Sequence, residues 1–90
     1  MDYEWDADKG ARNFEKHSVS FDEAATVFND PLYIDFYDPA HSTEEHRYLI
    51  VGMSSAGRLL LVSYTERASA IRLISARELT AAERKAYEEE

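Results

Sequence analysis

The sequence contains no cysteine, and this absence excludes disulfide bonds and thiolate metal sites. It also lacks an apolar run of the roughly 18 residues that a membrane-spanning helix needs. Its first residues, Met1 to Glu4, do not show the basic and then apolar order of a signal peptide. There is no internal repeat or linker. We therefore expect a single domain over residues 1–90 that is cytoplasmic and does not enter a membrane.

The residues that are present suit a small folded domain with an uneven charge. Hydrophobic residues make up 44% of the chain, which is enough for a modest core. The net charge is −8, which by itself argues against binding nucleic acid. However, residues 1–45 hold 12 acidic and 3 basic residues, whereas residues 46–87 hold 3 acidic and 7 basic ones. Residues 46–87, with a net charge of +4, could bind phosphate locally. An uneven charge distribution of this size also arises by chance in so short a chain.

Capping residues and apolar spacing predict three helices. Asp6 is a good N-cap for a helix over residues 7–17, which is expected to pack through a narrow apolar stripe of Ala7, Ala11 and Phe14. Ser20 and Glu23 stand at capping-box spacing and open a second helix over residues 21–28. Thr80 and Glu83 repeat this spacing before a C-terminal helix that runs through about Tyr87.

Between these helices, four segments are rich in strand-forming residues and are separated by turns, namely residues 32–37, 47–53, 58–65 and 70–76. The short connections between them favour an antiparallel arrangement. The predicted fold is α+β in the order ααββββα, with a four-stranded antiparallel sheet on which the helices pack.

Residues near the ends of the last two predicted strands could carry chemistry on a phosphate. Cleaving RNA without a metal needs a base for the 2′-hydroxyl, cations for the phosphate and an acid for the leaving oxygen. Arginine suits the second task because its planar fork matches phosphate oxygens. Arg84 and Tyr87 share one face of the last helix. The cations would be Arg67, Arg72 and Arg77, and the groups for proton transfer would be Glu66, His17 or Tyr87.

Each of these residues also has a purely structural interpretation. Arg72 could lie along an exposed sheet face or pair with a carboxylate, and Arg67 stands at a turn where charged residues are common. Arg77 could form a surface pair with Glu78, worth under ~1 kcal/mol. Tyr87 could pack its ring on the core, and His17 would favour the C-terminal end of a helix dipole.

A second cluster lies in the polar loop before the second strand. His41 and His46, together with Asp38, Glu44 and Glu45, offer side-chain types that bind zinc. The sequence gives no sign of partners that would orient these ligands, and a solvated acidic loop is favoured.

The order of short motifs along the chain resembles that of the BrnT family of toxins. The similarity covers nearly the whole chain without a large gap. It is carried by Trp5-Asp6-x-x-Lys9, Asn13, Lys16-His17-x-Val19-Ser20-Phe21-x-Glu23-Ala24, Asp38-Pro39-x-His41-Ser42, Glu45-x-Arg47, Gly52-x-Ser54, Gly57-Arg58-Leu59-Leu60, Thr65-Glu66-Arg67, Ile71-Arg72-x-Ile74-Ser75-Ala76-Arg77 and Glu83-Arg84-x-x-Tyr87-Glu88.

This resemblance implies a RelE-like fold, a ribonuclease that arrests translation, and a neighbouring BrnA antitoxin that binds the toxin and represses their shared operon. It implies no cofactor. The implied catalytic positions are Arg67, Arg72, Arg77 and Tyr87, with Glu66, Lys16 and His17 as plausible neighbours. We expect Glu66 and His17 to be catalytic, and Lys16 and Arg84 to bind the substrate. One departure is Ser18, which stands where glycine usually follows the Lys-His pair and would be strained if a left-handed residue is needed.

Two other functions remain open from the sequence. The chain could be a non-catalytic interaction module that only binds an antitoxin, or a metal-dependent hydrolase that uses the loop of His41 and His46. A homodimer and a toxin–antitoxin hetero-oligomer are both compatible with the sequence.

Overall fold

The computed structural model describes residues 2–89 and contains a five-stranded sheet flanked by three α-helices. The strands are β1 (Asp2–Glu4), β2 (Ile34–Tyr37), β3 (Tyr48–Met53), β4 (Leu59–Arg67) and β5 (Ala70–Glu78). The helices are α1 (Ala7–His17), α2 (Phe21–Ala25) and α3 (Ala81–Glu88), and short 3₁₀ turns occupy Thr26–Asn29 and Pro39–His41.

The sheet has the order β1-β5-β4-β3-β2, in which β1 is parallel to β5 and all other pairs are antiparallel. The α+β class is therefore confirmed, whereas the expected RelE-like sheet of four antiparallel strands is corrected to a mixed sheet of five. The missed strand β1 has only three residues, and an alternating pattern cannot be recognised over so short a segment.

The core lies between one face of the sheet and the layer formed by α1, α2 and the following 3₁₀ turn. Phe21, Ala24 and Val27 pack there against Ile50 and Val62, along with other buried residues of β4 and β5. The opposite side of the sheet is partly exposed and is called the open face below. It carries Leu49, Leu61, Ser63, Ser75 and Arg77, and α3 lies at one end of it.

The predicted caps form the helix boundaries. The Asp6 side chain accepts a hydrogen bond from the Lys9 amide at 3.0 Å, and Thr80 and Glu83 form a complete capping box. Ser20 accepts from the Glu23 amide at 3.0 Å, but α2 continues as a 3₁₀ turn and not as α-helix to residue 28. Among residues 2–89, no helix combines the length and the apolar composition that a membrane crossing requires.

The packing face of α1 differs from the expected apolar stripe. Ala7, Ala11 and Phe14 are exposed, and Phe14 keeps 56% of its surface accessible. Gly10, Asn13 and His17 face the protein instead, at helical spacing. A polar residue can replace an apolar one at such a position when its hydrogen bonds are satisfied, as those of Asn13 are.

Candidate active site on the open face

A basic hollow of about 390 Å³ lies where the end of α1 meets the open face. Lys16 and His17 come from the last turn of α1, where positive charge is favoured by the helix dipole. Arg77 enters from β5, and Ser63 and Ser75 form part of the floor. The hollow therefore combines two permanent cations, one imidazole and two hydroxyls, which is a set suited to a phosphate.

Asn13 fixes α1 in the position that creates this hollow. Its side-chain amide nitrogen donates to the carbonyl oxygens of Val19 and Ala76, each at 2.9 Å, and its oxygen accepts from the Ala76 amide at 3.1 Å. Asn13 is buried, and Ala76 is the neighbour of Arg77 in β5. Sequence reasoning missed this role, although the helical spacing of Gly10, Asn13 and His17 carries the signal.

Arg77 is held by a carboxylate from α3. Its two terminal nitrogens donate to the two oxygens of Glu83 at 2.7 and 2.9 Å, and Nη1 also reaches the Glu78 carbonyl at 3.1 Å. The Arg77 guanidinium and, next, the Thr80 amide lower the pKa of Glu83 to about 2. The same contact raises the pKa of Arg77. The pair is therefore fully charged, and the position of Arg77 depends on α3.

An apolar groove of about 380 Å³ continues from the basic hollow and shares Leu49 and Leu61 with it. Ile34, Phe36 and Val51 line the groove from the sheet, and Tyr87 lines it from α3. The Tyr87 hydroxyl donates to the Leu32 carbonyl at 3.1 Å. Burial and, after it, the nearby Asp30 raise the pKa of Tyr87. Tyr87 thus lies beside the hollow but not among its polar groups.

The structure does not bring Arg67 and Arg72 to Arg77 as one clamp. Arg77 pairs with Leu61 in β4, whereas Arg67 is six residues further along that strand, about 20 Å away at about 3.3 Å per residue. Arg72 binds Glu4 at 2.8 Å, and Arg67 approaches Glu45 at 3.3 Å. The alternative interpretation of Arg72, a pair with a carboxylate, is the arrangement found here.

The other predicted residues are dispersed. Glu66 lines a separate hollow with Tyr64 and Asp35 on the side of the sheet that packs against the helices. It is therefore separated by the sheet from His17 and Arg77. Arg84 is exposed on α3.

The two histidines of the polar loop are each engaged in a side-chain contact. His41 Nδ1 lies 2.8 Å from an oxygen of Asp38, and His46 Nδ1 lies 3.1 Å from the Tyr37 hydroxyl. Within residues 2–89, no group of three or more His, Asp or Glu side chains has the arrangement of a metal site.

Comparison with known proteins shows which family has this architecture. The family model described as the ribonuclease toxin, BrnT, of type II toxin–antitoxin systems matches residues 5–83. The crystal structure of the Brucella abortus ribonuclease toxin, BrnT, superposes with a TM-score of 0.66 at 22% sequence identity, covering 89% of this chain and 97% of that one. Among the curated proteins, none matches the chain.

The chain is therefore a ribonuclease toxin of the type II toxin–antitoxin class. Within that class it belongs to the BrnT family, as the resemblance of its motifs predicted. Membership implies an RNA target and an antitoxin protein partner.

Proposed function

We propose that the protein cleaves RNA at the basic hollow by metal-independent transphosphorylation. The 2′-oxygen of the substrate attacks the adjacent phosphorus while the bond from phosphorus to the 5′-oxygen breaks. The products are a 2′,3′-cyclic phosphate and a free 5′-hydroxyl. The observation that supports this most directly is the convergence of Lys16, His17 and Arg77 in one open hollow.

His17 is the proposed base. Histidine is the side chain best suited to exchanging a proton near neutral pH, and His17 is half-buried at the edge of the hollow. Glu66, the other base considered, lies on the far side of the sheet and is not part of this proposal.

Arg77 and Lys16 stabilise the negative charge that develops on the phosphate. The contacts of Arg77 with Glu83 and Glu78 occupy three of its five N–H donors. Within residues 2–89, this leaves Nε–H and one Nη2–H for phosphate oxygens. Glu83 acts as a positioning residue because it holds the guanidinium at the edge of the hollow.

The leaving 5′-oxygen takes its proton from solvent water, which reaches the open hollow. The Tyr87 hydroxyl is bound to the Leu32 carbonyl and has a raised pKa, so it is a poor acid in this arrangement. Tyr87 instead forms one wall of the neighbouring groove and so limits, from α3, where the substrate can lie in the hollow.

In the cell, this cleavage would inhibit translation, and a BrnA-type antitoxin would neutralise the toxin. The free protein and a toxin–antitoxin hetero-oligomer would then be the active and inactive states.

The purified protein should cleave RNA in excess EDTA. His17→Gln should reduce kcat by about 10²–10⁴-fold, the usual contribution of a general base. Arg77→Ala should reduce it by about 10²-fold or more, as loss of a charge-stabilising donor does. Lys85→Ala, an exposed substitution on α3, is the matched control and should retain activity. The circular dichroism spectrum of each variant checks its folding.

Activity that disappears in EDTA and returns with zinc or magnesium would overturn the metal-independent mechanism. Undiminished cleavage by folded His17→Gln would remove this residue as the base. A folded wild-type protein without any cleavage would favour the alternative, a module that only binds its antitoxin.

A further inference from the structure

Strand β2 is an unprotected edge of the sheet. Within residues 2–89 it pairs only with β3, and all four of its residues are exposed. Three of the four, Ile34, Phe36 and Tyr37, are large and apolar or aromatic. Natural sheets usually protect an exposed edge with lysine, proline or a bulge, and β2 has Asp35 alone. Such an edge offers unpaired backbone groups to another extended chain.

The apolar groove runs along this same strand. Ile34 and Phe36 lie beside their cross-strand partners Val51 and Leu49 on the sheet side of the groove, and Tyr87 of α3 lines the opposite side. Phe36 keeps 48% of its surface accessible. Because side chains alternate along a strand, a segment that pairs with β2 would place every second side chain over the groove. Backbone pairing and apolar burial are therefore available to one ligand at the same time.

The negative charge near β2 favours one kind of ligand at this surface over a second copy of the chain or RNA. Asp30, Asp35 and Asp38 lie in or beside β2, within a half of the chain that carries 12 acidic and 3 basic residues. A second copy pairing through β2 would bring these carboxylates towards their own equivalents, and like charges across a strand pair are destabilising. The phosphates of RNA would meet the same repulsion. A segment with lysine or arginine between apolar residues would complement both features.

We infer that β2 and the apolar groove bind an extended segment of the antitoxin protein, in which apolar residues alternate with basic ones. The segment adds a strand to the sheet and places its apolar side chains beside Phe36. The groove shares Leu49 and Leu61 with the basic hollow, so the bound segment lies against the substrate site. It blocks RNA at that end without contacting His17, and this inhibitory part rests on the proposed function.

A library of random 12-residue peptides, displayed and selected against the whole protein, tests this inference. The enriched peptides should alternate apolar residues with lysine or arginine. One synthesised peptide should slow amide hydrogen exchange within Ile34–Tyr37 and should inhibit RNA cleavage. N-methylation of alternate backbone amides in that peptide should abolish binding, because strand pairing needs those donors.

Two matched variants locate the contact. Phe36→Ala should weaken binding of the peptide at least tenfold, since its ring lines the groove. Leu32→Ala should leave binding unchanged, although Leu32 is 76% exposed and lies just before the same strand. Both side chains are exposed, so both variants should fold, and their thermal unfolding confirms it.

Several results would overturn the inference. These are failure to enrich any peptide, enrichment of acidic peptides, or protection confined to another surface. Concentration-dependent dimerisation that Phe36→Ala abolishes would assign β2 to a second copy. Protection of Ile34–Tyr37 by an RNA oligonucleotide alone would assign the groove to nucleobases. A protein that binds the peptide at β2 but never cleaves RNA would contradict only the proposed function, whereas unimpaired cleavage with peptide bound would contradict the inhibitory role.

Discussion

At the scale of single residues, a few polar side chains determine where the end of α1 lies. Asn13 joins α1 to β5 through three buried hydrogen bonds. Ser18 ends the helix with a left-handed backbone, at φ 57°, and its carbonyl accepts from the Arg58 guanidinium at 2.9 Å. Arg58 also binds Glu23 of α2 and thereby ties both helices to the turn between β3 and β4. Polar contacts, more than apolar ones, therefore position Lys16 and His17.

Asn13→Ala should lower the free energy of unfolding by about 2–3 kcal/mol, because backbone groups of Val19 and Ala76 would be left buried without partners. RNA cleavage should fall as well, since α1 would no longer hold His17 over β5. Chemical denaturation checks the first effect and an RNA cleavage assay the second. Arg12→Ala, at the exposed neighbouring position, should change stability by under about 0.5 kcal/mol. A similar small change in Asn13→Ala would contradict the positioning role.

Ser18→Gly should raise the free energy of unfolding by about 0.5 kcal/mol. A left-handed conformation strains a residue with a Cβ atom, and glycine relieves that strain at some cost in unfolded-state entropy. The strain expected from the sequence at this position is consistent with the φ angle found. Glu15→Gly, inside α1, is the control and should lower stability by about 1 kcal/mol. Equal effects of the two substitutions would show that backbone conformation does not matter at Ser18.

At the scale of elements, α3 is attached to the sheet mainly through polar contacts. Among its described residues none is buried. One end is held by the pair of Arg77 and Glu83, and the other by the hydrogen bond from Tyr87 to Leu32. Because α3 forms one wall of the apolar groove and orients Arg77 in the basic hollow, the shape of both depends on how α3 is attached.

Acid should release this attachment within a defined range of pH. The pKa of Glu83 lies at about 2 in the folded protein, below its ordinary 4.5, so its contribution to stability is complete above about pH 4.5. That contribution is lost as pH falls towards 2. Unfolding free energies of wild type and Glu83→Gln should therefore differ at pH 7 and converge at pH 2. Comparing the two proteins removes the effects of Glu23 and Asp6, whose pKa values are also lowered, by Arg58 and by the Lys9 amide respectively.

Arg77→Gln is the control for this titration. It removes the largest cause of the lowered pKa of Glu83, so the loss should move upwards towards pH 4.5. A stability difference between wild type and Glu83→Gln that stays constant from pH 7 to pH 2 would contradict the role of this ion pair.

The elements also show how far sequence reasoning reaches. Strong local signals located α1, the turn between the segments 47–53 and 58–65, and the capping box of α3. The placement of Arg72 and Arg77 on one face of the sheet was not predictable, because β5 contains an irregularity opposite Ser63 and Tyr64. Arg72 and Arg77 are five residues apart and would lie on opposite faces of a regular strand. The bulge shifts the alternation, so both side chains share the open face.

At the scale of the whole molecule, a protein with a net charge of −8 presents three of its arginines along one face of the sheet. Leu61 pairs with Arg77, Thr65 pairs with Arg72, and Arg67 follows on the same strand. Odd-numbered positions of β4 share a face, and residues paired across strands lie on the same side. The three arginines thus form a line of about 20 Å and not a clamp around one phosphate.

This line predicts that the contribution of each arginine depends on the length of the RNA. About 20 Å corresponds to roughly six nucleotides stacked at about 3.4 Å each. With an RNA of about three nucleotides whose 2′-hydroxyls are blocked, only Arg77→Gln should reduce the salt dependence of binding, by about 0.7 in the slope of log K against log salt. With about ten nucleotides, Arg67→Gln and Arg72→Gln should each reduce the salt dependence of binding as well.

Asp22→Lys is the control. Asp22 is exposed on α2, and this substitution should speed association at low salt and leave the slope unchanged, because it acts only over a distance that salt screens. Binding measured across a salt series for both lengths decides the matter. If Asp22→Lys and the arginine substitutions have equal effects, or if length makes no difference, RNA does not follow this line of cations across the sheet.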